Sequence, residues 1–226
     1  MPAPELSAEA FRRADESPDR GFYAAPRLVT HIDEAAVAAV TALYRQLVPA
    51  GGAVLDLMSS WVSHLPPEAA YARVAGLGMN ADELAANPRL TERGVQDLNT
   101  DPRLPYGDAE FDAVVCCVSV QYLVRPAAVF AEVARVLRPG APAVVTFSDR
   151  CFPTKAVTVW QALDDAGHAR LVAGYFAAAG GFGPAAVYAH PPDALRPGRH
   201  RRTTDPLIGV VALRAEPVVG GGTAAV

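Results

Sequence analysis

The sequence predicts an α/β fold: a doubly wound, mostly parallel sheet with an antiparallel strand pair near its C-terminal end. Three observations predict it. The short apolar runs 53–57, 73–78, 114–118 and 143–147 do not alternate with polar residues, as expected of strands buried on both faces. Stretches of helical periodicity lie between them, so successive strands connect through crossovers. Two later strand candidates, 185–189 and 207–213, lie too close together for a crossover helix and should pair antiparallel.

Residues 1–20 are polar and proline-punctuated and read as an N-terminal arm, with Ser7 placed to cap a short helix. Thr30 with Asp33 three residues later forms a capping-box pattern. Ile32, Ala36, Ala39, Val40, Leu43, Tyr44 and Leu47 then recur at helical spacing until Pro49, Gly51 and Gly52 end the helix. The first strand, 53–57, follows. After the second strand Asn80 and Glu83 open a helix that Asn87 and Pro88 close. A third strand ends before Asp97. Pro126 starts a helix whose apolar face is Val129, Phe130, Val133, Val136 and Leu137, stopped by Pro139 and Gly140. One long helix over 158–179 ends at Gly180 and Gly181. Residues 21–216 thus form a single domain, and 217–226 read as a flexible tail.

Composition narrows the function. The 226 residues are 51% hydrophobic and 19% charged, enough for one sizeable core. The net charge of −4 lacks the basic excess of a nucleic-acid binder. No apolar run reaches the roughly 18–20 residues of a membrane span, and the N-terminus has no secretory apolar region. Cys116 and Cys117 are adjacent and Cys151 stands apart, a spacing that fits neither a disulfide framework nor a metal site. A cytoplasmic protein acting on a small molecule, without nucleic acid or membrane, is the expectation.

In an open parallel sheet ligands bind beyond the carboxyl ends of the strands. After the first strand stand Asp56, Met58, Ser59, Ser60, Trp61 and His64, without the glycines that a dinucleotide pyrophosphate needs, which counts against a nicotinamide or flavin cofactor. Asp56 at the end of a buried strand must find hydrogen bonds. It either ties down the following loop or faces a ligand.

Val54 to Leu57, Leu104 to Tyr106, Glu110 to Val115 and the run Glu132 to Gly140 resemble class I S-adenosylmethionine-dependent methyltransferases of the type 11 kind, in order over roughly residues 53–148. The resemblance implies a Rossmann-like, seven-stranded sheet, with S-adenosylmethionine as cofactor and S-adenosylhomocysteine as product. It implies that Asp56, Met58, Ser59, Ser60 and Trp61 pass beneath the amino acid end of the cofactor. Gly78, Met79 and Asn80 would lie by the ribose, Asp97 and Leu98 would flank the adenine, and Cys116, Cys117 and Val118 would line the wall near the sulfonium. Residues 21–50 would form a lid helix region.

Two features depart from that family. Met58, Ser59, Ser60 and Trp61 replace its glycine-rich turn, and Gly78 stands where it carries a ribose-binding acid, leaving Asn80 to substitute through its amide. Direct displacement from a sulfonium needs a base only when the nucleophile must lose a proton. Tyr23, His31 and His64 are the candidates. Gln121, Tyr122, Arg150 and Lys155 are the candidate substrate contacts. The basic cluster Arg196, Arg199, Arg201 and Arg202 reads as a solvated turn. A domain that binds the cofactor without catalysis is the alternative function, with a nicotinamide oxidoreductase behind it.

Overall fold

The computed structural model describes residues 6–195 and 203–216. Seven strands form one sheet: β1 Ala53–Ser59, β2 Arg73–Gly78, β3 Glu92–Val95, β4 Ala113–Cys117, β5 Pro142–Phe147, β6 Ala186–His190 and β7 Leu207–Leu213. Their order is β3-β2-β1-β4-β5-β7-β6. The first five run parallel, and β7 pairs antiparallel with both β5 and β6. This is the expected Rossmann-like, doubly wound architecture with its antiparallel pair. The order reverses between β1 and β4, which opens a crevice at their carboxyl ends.

Alternate residues of the strands supply two cores. On one face Val54, Val74, Val115 and Val144 pack with Ala36, Val40, Leu43 and Tyr44 of α2, Glu34–Leu47, and with Leu84 of α3, Ala81–Ala86. On the other face Leu55, Leu57, Val114 and Val145 meet Val129, Phe130 and Val133 of α4, Pro126–Val136, and Val172 and Phe176 of the last helix. Every residue of β5 is buried, which explains its unbroken apolar run.

Three local expectations are corrected. The α2 cap is Asp33, not Thr30: its carboxylate accepts from the Ala36 amide at 2.9 Å and from the Asp205 amide at 2.7 Å, a tertiary bond that Thr30 lacks. The long late helix is two, α5 Thr158–Gln161 and α6 Asp165–Ala179, because Asp164 accepts from the Gly167 amide and starts a new helix. Ser7 precedes a short 3₁₀ turn, Ala8–Phe11, but its hydroxyl makes no capping bond. The arm is held along residues 12–19: Thr158 donates its amide to the Arg12 carbonyl, and Asp15 donates to the Thr154 carbonyl. No helix among the described residues is long and apolar enough to cross a membrane. The expected turn at 196–202 and tail at 217–226 lie outside the described residues.

Candidate active site

A cavity of about 440 Å³ opens at the reversal of strand order, within the 300–1,000 Å³ range usual for ligand sites. Its floor comes from the carboxyl ends of the parallel strands and the residues beyond them: Met58 and Ser59 at the end of β1 and Ser60 after it, Gly78 and Met79 at β2, Asp97 and Leu98 after β3, Val118 and Tyr122 after β4, and Arg150 after β5. Tyr23 and His31 come from the segment over it. These twelve candidates are brought together as the sequence suggested. Asp19, Arg27, Thr30, Glu83, Asn99 and Phe152 also line the cavity.

The missing glycines are replaced by strained backbone. Met58 has φ of 57° and Val118 φ of 51°, the left-handed region that costs an L-residue about 1–2 kcal/mol. Met58 also marks an irregularity in the β1–β2 register, between Leu57 and Ser59. Such outliers persist only where surrounding structure enforces them, and they cluster at binding sites. Gly78 is required sterically: a Cβ there would stand 2.1 Å from the Ser59 carbonyl oxygen.

Eight expected residues stand outside the cavity lining, each for a visible reason. Asp56 is buried beneath the loop and accepts from the Ser59 and Ser63 hydroxyls, both at 2.6 Å, so it ties the loop down. Its burial raises its pKa to about 6, against the opposing pull of the two hydroxyls. Trp61 donates its indole N–H to the Val29 carbonyl at 3.0 Å and so pins the overlying segment. Asn80 spends its side-chain oxygen on the Asp82 and Glu83 amides and its NH₂ on the Tyr23 and Ala24 carbonyls, so its amide is not free for a ribose. Burial pushes the Cys116 thiol up, and Cys117 up to about 12, which leaves both as unreactive packing groups. His64 lies in a left-handed turn beyond the lining, its carbonyl accepting from the Thr41 hydroxyl.

Gln121 is fully buried and donates to the Val118 and Arg150 carbonyls behind the wall. Lys155, also fully buried, donates to the Ser17 carbonyl at 2.7 Å and pairs with Asp15 and Asp19 at 3.1 and 3.2 Å. It fastens the N-terminal arm rather than meeting a substrate.

The arm therefore becomes a strap, residues 19–30, across the cavity. Asp19 is held by Arg13, Asn99 and Lys155. Glu83, in the first turn of α3, accepts from the Arg27 amide at 2.7 Å and from the Ser60 hydroxyl at 2.5 Å. It joins strap, loop and helix while lining the cavity. Sequence reading found Glu83 only as a helix-opening residue; its place three residues past the cap, on a helix whose start faces the crevice, was the available signal. Burial keeps Tyr23 a neutral phenol by raising its pKa, so it donates rather than acts as a base. Burial lowers the His31 pKa, with Glu83 opposing and Arg27 adding, and this favours the neutral imidazole that a base requires.

Residues 58–145 match the family model described as methyltransferase domain. No curated protein matches the chain in sequence. Among solved structures the chain is similar to phosphoethanolamine N-methyltransferase 2 of Haemonchus contortus, at 13% identity and TM-score 0.54, covering 77% of this chain and 52% of that one; that structure holds phosphomonomethylethanolamine and S-adenosylhomocysteine. It is also similar to geranyl diphosphate C-methyltransferase of Streptomyces coelicolor, at 16% identity and TM-score 0.51, covering 79% and 80%. A third is the cyclase SpnF, at 15% identity and TM-score 0.51, covering 88% and 92%.

Proposed function

We propose that this chain, which carries a class I S-adenosylmethionine-dependent methyltransferase domain, moves the methyl group to a small-molecule acceptor by direct in-line displacement. The observation that carries the reading is the cavity at the strand-order reversal, whose lining joins a strained loop to the carboxylates of Glu83 and Asp97. The residues present suit the cofactor. Met58, Ser59 and Ser60 would run under its amino acid end, with Met58 adopting the φ for which glycine is usual. Glu83 lines the same cavity as Gly78 and would supply the acid that the ribose wants, and Asp97 with Leu98 would take the adenine. When bound, the cofactor supplies an activated methyl group on a sulfonium. The protein's part is then to align the acceptor and exclude water, and positioning of this kind supplies about 7–11 kcal/mol. His31 is the group able to take a proton from an acceptor hydroxyl or amine.

A small acceptor is supported by the cavity's size and the strap across it, and by the neighbours crystallised with small substrates. A second reading, cofactor binding without transfer, rests on the glycine-free loop. Calorimetric titration with S-adenosylmethionine and S-adenosylhomocysteine, followed by a turnover screen of small acceptors, tests both. Binding with turnover supports the enzyme. Binding without turnover across a broad panel favours the second reading, and no binding by the folded protein rejects both.

A further inference from the structure

The cavity is polarised. On the side of β2 and β3 its charged lining groups are carboxylates, Glu83 and Asp97, each oxygen of which already accepts from the protein: Glu83 from the Arg27 amide and Ser60 hydroxyl, Asp97 from the Asn99 amide and Thr100 hydroxyl. On the side of β4, β5 and the strap the free polar capacity belongs to donors. Asp19 lines that side, but each of its oxygens accepts from Arg13; Asn99 and Lys155 take the remaining positions. Arg150 gives its Nε–H to Asp205 at 2.9 Å, and its two terminal nitrogens have no partner among the described residues.

The wall beside Arg150 is aromatic. Phe152 stacks on Tyr122 with ring centroids 5.9 Å apart and planes 27° from parallel, and its edge contacts include His31 at 5.3 Å. Tyr122 is fixed there because its hydroxyl accepts from the Phe152 amide at 2.9 Å. The cluster already holds a cation: the Arg27 guanidinium lies over Phe22 at 4.7 Å and Phe152 at 5.4 Å. A cationic acceptor would have to enter beside that charge, so this aromatic group does not serve as a cage for an ammonium ligand. Asp205 offsets part of the Arg150 charge, which suits a monoanion better than a phosphate dianion. The planar fork of a guanidinium matches a carboxylate.

We propose that the acceptor is an aromatic carboxylate, its ring laid along Phe152 and Tyr122 and its carboxylate taken by the terminal nitrogens of Arg150. The proposal rests on the methyltransferase reading, because the other half of the cavity must be filled by the cofactor.

The test is calorimetric titration of the protein loaded with S-adenosylhomocysteine, using benzoate, benzamide, benzylamine and phenyl phosphate as probes. Benzoate should bind about tenfold or more tighter than the other three, the worth of a hydrogen bond to a charged group. Arg150→Gln should erase the preference of benzoate over benzamide. Phe152→Leu should weaken both alike, each variant being checked by its thermal melt. Equal affinities for the four probes, or tighter binding of benzylamine or phenyl phosphate, overturn the acceptor class and leave the methyltransferase reading standing. Failure of the folded protein to bind S-adenosylhomocysteine overturns both.

Discussion

Asp56 shows how a residue can serve the site without entering it. Its carboxylate is buried, with the Ser59 and Ser63 hydroxyls as its partners among the described residues. Its pKa of about 6 lies above the value near 3.9 of an unfolded chain. The folded state therefore holds the Asp56 proton more tightly than the unfolded state does. Its contribution is favourable below pH ~4 and is lost as pH rises through 6, by about 3 kcal/mol in all. Asp56→Asn keeps an oxygen for both serines and removes the charge. Urea unfolding at pH 4 and pH 7 should show the wild type losing about that much more than the variant; identical profiles would sink the account. On the proposed function Glu83 and Asp97 would act at the ligand. Glu83→Gln and Asp97→Asn should each weaken S-adenosylhomocysteine binding by about 1–3 kcal/mol by calorimetry, and unchanged affinity in either would remove that residue's assigned role. Local patterns made some of this legible: a strand-terminal acid at 56, a helix cap at 80. Lys155 was not legible, because its partners lie about 140 residues earlier in the chain.

At the scale of elements the strap is the part that sequence periodicity could not place. Residues 19–30 have no helical or strand repeat beyond the short turn α1, Asp19–Phe22, and their position is set by bonds at both ends. Lys155 and Asn99 hold the start through Asp19, and Asn80, Glu83 and Trp61 hold the rest. Lys155 is the partner with most to lose. Breaking a buried ion pair from one side costs about 3–5 kcal/mol when the remaining charge is left uncompensated, but Asp19 keeps Arg13 and Asn99. Lys155→Met should therefore lower stability by less than that range, and limited proteolysis should cut the strap before the domain. Cleavage elsewhere first would show that the strap does not depend on Lys155. The helices were easier to read where one cap signal stood alone, as at Asn80 and Pro126, and harder where two competed, as Thr30 with Asp33 did.

At the scale of the whole molecule the topology was readable because doubly buried strands and amphipathic helices carry different periods. Their alternation allows few arrangements. The cavity's floor followed from that topology, whereas its roof depends on tertiary contacts of the strap with Trp61, Asn80, Glu83, Asn99 and Lys155. A ligand that binds only the assembled floor and roof must stabilise the whole fold. S-adenosylhomocysteine at about 100 times its dissociation constant should add about 2.7 kcal/mol. For a domain of this size each kcal/mol moves the melting temperature by roughly 2–4 °C, so a rise of roughly 5–10 °C is expected in a thermal shift assay. NADH at the same concentration should produce none. The end of β1 and the turn beyond it have side chains at all of positions 58–61, and a pyrophosphate needs bare backbone there. A shift with NADH and none with S-adenosylhomocysteine would mean that the strained Met58 turn accommodates a dinucleotide, and the cofactor assignment would fall with it.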